Sequence, residues 1–85
     1  MYDIIFSKQA KKFIDKQDKV TKKRLRNAML ELSENPYRAK DVKKLKGDKA
    51  YRKRVANFRI IFDIIDQKLV VNVLKVDNRG QVYRK

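Results

Sequence analysis

Residues 51–66, YRKRVANFRIIFDIID, carry the reading of the whole chain. Val55, Phe58, Ile60 and Phe62 recur with the two-residue period of an extended backbone, whose successive side chains point to opposite faces. A break at Ala56-Asn57 has the length of a hairpin loop and divides the stretch into strands over about Tyr51–Val55 and Phe58–Ile65. In that register Val55 faces Phe58, Arg54 faces Arg59, and Arg52 faces Ile61. Arg59 thus stands in the middle of a strand, opposite a like charge, which destabilises a sheet by up to about 1 kcal/mol. Two explanations remain open. A phosphate, which fits the guanidinium fork in a bidentate way, bridges the pair, or Asp63 or an acidic partner neutralises it.

A second break at Asp66-Gln67 leads to a third strand over about Leu69–Val76, with Phe62 expected opposite Val71 and Ile60 opposite Val73. Two faces result. One carries Val55, Phe58, Ile60, Phe62, Val71 and Val73; the other carries Arg52, Arg54, Arg59, Asp63 and Asn72. Lys53 falls on the apolar side and is expected to snorkel or to mark a bulge.

Upstream, YDIIF is a short β-rich run followed by Ser7, a helix N-cap type. Phe6, Ala10, Phe13 and Ile14 then recur at i, i+4, i+7 and i+8, the spacing of one helical face. After KQDK, Leu25, Ala28, Met29 and Leu32 repeat the pattern, and Pro36 ends this second helix near Asn35. The two helices are expected to form an antiparallel hairpin. Residues 37–50 lack a sustained apolar face, and Gly47-Asp48 signals a turn, so they read as a basic connection anchored by Val42 and Leu45. The order β-α-α-β-β-β gives an α+β fold, with a strand and helix hairpin packed on a mainly antiparallel sheet, in a single domain over 1–85.

The charge points to a polyanionic or acidic partner. Among 85 residues, 24 are Lys or Arg and 10 are Asp or Glu, a net charge of +14. Self-repulsion of that size on a small body is best relieved by nucleic acid or an acidic protein. The chain contains neither Cys nor His, so no disulfide framework and no zinc, thiolate or imidazole chemistry is expected, and no metal or cofactor. The N-terminus lacks a signal-peptide pattern and no apolar run is long enough to span a bilayer, which implies a cytoplasmic protein with no membrane partner.

RVANFRIIFDI, KLVVNVLKV and NRGQVYRK, with the upstream VKKLKG and the paired helices, resemble the RelE/ParE superfamily of type II toxin–antitoxin toxins over nearly the whole length. The resemblance implies a RelE-like fold and, for many members, cleavage of mRNA in the ribosomal A site. It implies that Arg59 lies beside the scissile phosphate, that Arg79 is the arginine of a late basic motif, and that Tyr83 closes that motif. Arg54 and Arg52 fall where such toxins carry basic residues, usually lysines. Lys43, Lys46 and Asn78 join Arg52 as expected RNA contacts, and Lys11 and Lys12 on the first helix are expected to grip ribosomal RNA phosphates. The chain departs from the pattern at Asp77-Asn78, where many members have Gly-His. An acidic antitoxin is the implied protein partner. A ParE-like inhibitor of DNA gyrase that does no chemistry, or an inactive RNA-binding relative, stands as the alternative.

Overall fold

In a computed structural model, which describes residues 1–47 and 49–78, the chain runs β1 (Asp3–Phe6), α1 (Lys8–Asp15), α2 (Lys19–Glu34), β2 (Val42–Lys44), β3 (Tyr51–Val55), β4 (Phe58–Ile65) and β5 (Val70–Asn78). The sheet order is β1-β5-β4-β3-β2. Among the described strands only β1 and β5 pair in parallel; the other pairings are antiparallel. The α+β architecture with a helix pair on a mainly antiparallel sheet is the one expected from the sequence.

Local chemistry sets the helix boundaries. Ser7 adopts an extended conformation, and its Oγ accepts from the Ala10 N–H at 3.1 Å. The same hydroxyl donates to the Leu74 carbonyl at 2.8 Å, so the cap also ties α1 to β5. Gln9 strengthens that tie. Its side-chain amide donates to the Val76 carbonyl at 2.9 Å and accepts from the Val76 N–H at 3.0 Å. Pairing of β1 with β5 stops at Phe6 and Val73, so the Gln9 amide serves Val76 on an edge that β1 no longer covers. Asp18 caps α2 by accepting from the Thr21 N–H at 2.8 Å. The helix ends at Asn35, which turns extended before Pro36.

The core lies between the helices and one sheet face. Ala10, Leu25, Ala28, Met29 and Leu32 pack there with Ile60, Phe62, Val71, Val73 and Val76. Burial of each large aliphatic or aromatic side chain contributes about 1.5–3 kcal/mol. The edge-on ring contact of Phe13 with Phe58, centroids 5.9 Å apart, closes one end of this layer. Tyr51 stacks on Phe62 at 5.7 Å near the other.

Several details differ from the sequence reading. Val42–Lys44 is a strand rather than part of a connection, pairing at the edge with Tyr51–Lys53; three residues, two of them exposed lysines, are too few to show a period. Asp66–Lys68 forms a 3-10 turn and Leu69 takes a left-handed conformation, so β5 starts at Val70. The longer loop places Phe62 opposite Val73 instead of Val71, and an irregularity between Ile61 and Phe62 places Ile60 opposite Val76 instead of Val73. Lys53 neither snorkels nor marks a bulge: it pairs in register with Ile60, is 3% exposed, and its ammonium reaches Glu31 at 2.8 Å and the Lys40 carbonyl. Finally, Phe6 is the last residue of β1, not the start of the helical stripe, and is 40% exposed.

Candidate anion-binding face

The sheet face turned away from the helices collects the cations because alternation sends them there. Arg54 pairs with Arg59, and Arg59 in turn with Asp77, giving one rung across β3, β4 and β5. The next rung runs Lys43, Arg52, Ile61 and Lys75 across β2 to β5. Arg52, Arg54 and Arg59 therefore share the face that the hairpin register assigns them, and Lys43 joins them through β2, which the sequence reading left as a connection.

Arg59 makes a two-point contact with Asp77. Its Nε donates to Oδ1 at 3.2 Å and a terminal nitrogen donates to Oδ2 at 3.0 Å. This fork geometry adds direction to charge. Lys75 Nζ lies 3.7 Å from the same Oδ2. The counter-charge to Arg59 is thus Asp77 rather than Asp63. Asp63 pairs across the ladder with Asn72, and its buried Oδ1 has no hydrogen-bond partner.

Beside these rungs the β2–β3 connection forms an open depression of about 860 Å³, lined by Lys43, Lys44, Lys46, Lys49 and Arg52 with Leu45 and Gly47. Gly47 has φ +73°. A residue without Cβ adopts that conformation without strain. The Leu45 N–H donates to the Ala50 carbonyl at 2.9 Å to close the turn. Five positive side chains share this hollow with no acid among its described lining. Arg52 Nε is buried there without a hydrogen-bond partner. Such a surface concentrates field and attracts phosphate.

Other predicted residues lie elsewhere. Lys11 and Lys12 are exposed on α1, in the layer that covers the opposite sheet face. Asn78 pairs with Phe58, which puts it on the helix-facing side and not with Arg59. Arg79 and Tyr83 lie outside the described residues. The phenols of Tyr2 and Tyr37 both donate to Asp66 at the β4–β5 turn, at the far end of β4 from Arg59. Their hydrogen bonds to this carboxylate push the Tyr2 phenol up and that of Tyr37 up to about 12, and hold Asp66 below the usual carboxylate value. Both phenols are thus held in the protonated form. Among the described residues no group of three or more His, Cys, Asp or Glu is placed to hold a metal ion. Sequence reasoning missed Asp77, Lys75, Lys44 and Lys49. Carrying the expected hairpin register through to the last strand sets Leu74 opposite Arg59; the longer loop and the irregularity between Ile61 and Phe62 shift the pairing and bring Asp77 there instead.

A two-helix layer over one face of a five-stranded, mainly antiparallel sheet is the architecture of the RelE toxins. The chain superposes on the RelE–RelB complex of Pyrococcus horikoshii OT3 with a TM-score of 0.81 and 27% identity, covering 94% of this chain and 97% of that one. For the isolated E. coli RelE toxin the values are 0.79 and 28%, covering 98% and 92%; for the intact E. coli RelBE toxin–antitoxin complex they are 0.79 and 26%, covering 92% and 96%. The model of the ParE toxin of type II toxin–antitoxin systems matches residues 4–83, and the chain belongs to this family, within the RelE/ParE superfamily. No curated protein matches the chain by sequence. No helix among the described residues is long and apolar enough to cross a membrane.

Proposed function

We propose that this toxin is a ribosome-dependent endoribonuclease that cleaves mRNA in the cytoplasm. The observation that carries the reading is the Arg54–Arg59 rung on an open sheet face, continuous with the hollow of Lys43, Lys46 and Arg52. An arginine pair in register is unfavourable by itself and favourable around a phosphodiester. RNA supplies its own nucleophile: the 2′-oxygen attacks the adjacent phosphorus, the bond from phosphorus to the 5′-oxygen breaks, and charge builds on the non-bridging oxygens between. Arg59 and Arg54 stabilise that charge, and the basic hollow holds the flanking backbone. Arg79 and Tyr83 complete the site by resemblance to RelE-like nucleases, with Tyr83 as proton acceptor or stacking surface. The ribosomal A site supplies the alignment that a small protein does not provide alone, and Lys11 and Lys12 hold ribosomal RNA from the helix side.

The natural inhibitor in this reading is an acidic antitoxin laid over Arg52, Arg54 and Arg59. Solved relatives with antitoxin support such a partner, and the charge of +14 makes its association fast and salt-sensitive. Inducing the toxin without antitoxin and mapping transcript ends tests the proposal: cuts within translated codons support it. A second reading, a non-catalytic poison of DNA gyrase, draws support from Asp77-Asn78 in place of Gly-His and from the carboxylate on the Arg59 fork. Intact transcripts together with gyrase-trapped, cleaved DNA would establish that reading instead.

A further inference from the structure

We infer that Asp77 is an internal stand-in for the substrate phosphate: it occupies the Arg59 fork in the unliganded protein, must be displaced when a phosphodiester binds, and so sets the affinity of the site. The inference rests on the reading of Arg59 as a phosphate contact. A guanidinium edge offers two parallel N–H groups, and the edge formed by Nε and one terminal nitrogen is taken by Asp77 Oδ1 and Oδ2 at 3.2 and 3.0 Å. A phosphate with the same bite cannot use that edge until the carboxylate leaves. Departure is feasible because the pair is only partly screened from water, with side chains 38% and 24% exposed for Arg59 and Asp77. Lys75, 3.7 Å from Oδ2, is poised to retain the displaced carboxylate. What distinguishes the incoming phosphate from Asp77 is Arg54, which stands in register on the far side of Arg59 from Asp77. A ligand lying between Arg54 and Arg59 meets two guanidinium groups, whereas Asp77 meets Arg59 and, at longer range, Lys75. The exchange therefore favours an anion that spans both guanidinium groups over a carboxylate that reaches only one.

Binding of a short, fluorescently labelled single-stranded oligouridylate to the free protein tests this without requiring cleavage. Asp77→Asn keeps the shape and removes the charge, and should tighten binding by about two- to five-fold, the ratio equivalent to an exposed ion pair. Asp63→Asn changes net charge equally on the same face without touching Arg59, and should shift affinity less. The gain from Asp77→Asn should vanish in an Arg59→Ala background, a coupling that general charge or altered stability does not produce. Equal gains from Asp77→Asn and Asp63→Asn, or a gain that survives Arg59→Ala, would overturn the inference. If Arg59→Ala weakens binding but Asp77→Asn brings no gain, Arg59 remains a phosphate contact and the stand-in role fails alone. If Arg59→Ala has no effect even beside Asp77→Asn, the underlying reading of Arg59 fails, and the inference with it.

Discussion

Lys53 and Arg59 lie one rung apart on the β3–β4 hairpin but on opposite faces of the sheet. Lys53 points among the helices, almost wholly buried, and its ammonium is fixed by Glu31 and the Lys40 carbonyl. Arg59 points outward, where water reaches it and its carboxylate partner is shared with Lys75. A buried cation makes its partner obligatory, because an unpaired charge in an apolar layer costs several kcal/mol. An accessible cation makes its partner exchangeable, because water and salt supply most of what the partner does. The same charge thus serves cohesion on one face and recognition on the other.

The largest effect should come from the covered face. Phe62→Ala removes a fully buried ring stacked on Tyr51 and should cost about 3–5 kcal/mol in denaturant unfolding. A loss below about 1 kcal/mol would mean that cohesion is not concentrated there. On the open face, Arg59→Ala should leave unfolding nearly unchanged while slowing single-turnover mRNA cleavage on ribosomes by about 10²-fold, with ribosome binding preserved. A large stability loss in that variant would erase the contrast between the faces.

Smaller effects sharpen the comparison. Glu31→Ala strands the Lys53 ammonium and should destabilise by about 1–3 kcal/mol, less than for a fully buried pair because Glu31 is half exposed and the Lys40 carbonyl remains. Asp77→Ala on the open face should cost under about 1 kcal/mol. If the two cost the same, burial is not what separates them. The smallest effect concerns pH. A phenol that holds its proton more tightly when folded contributes stability fully below its ordinary pKa of 10.0, lost as pH rises toward about 12 for Tyr37. Asp66, lowered from 3.8, contributes stability above that value, lost as pH falls further. Tyr37→Phe should make both arms of the stability profile shallower, with Tyr2 sustaining the remainder, as thermal unfolding across pH would record.

The faces of β3 and β4 were legible in the sequence because period-2 alternation over Val55, Phe58, Ile60 and Phe62 admits only one burial pattern, and the Arg54–Arg59 rung follows from a two-residue loop. Register beyond β4 was less legible. A 3-10 turn and a left-handed Leu69 lengthen the second loop, and a local irregularity shifts the pairing again, neither signalled by Gly or Asn-Gly. The partner of Lys53 was hidden because Glu31 is 22 residues away and on another element. Asp77 was visible only as a departure from a family pattern, and its meaning emerged from the residue opposite it. Arg79 and Tyr83, read from resemblance, fall outside the described residues.

Inserting β5 between β1 and β4 also makes the sheet a late product of folding. Asp3 pairs with Val70, so β1 stays without a strand partner until nearly all of the described chain has been made. The β3–β4 hairpin closes over two residues and can form early, but the parallel pairing must first overcome the closure entropy of a loop spanning the two helices and three other strands. During synthesis the N-terminal strand and helices therefore wait as an incomplete, basic segment. The ordered face of Arg54 and Arg59, which needs β5 for its third column, comes into being only when that strand arrives.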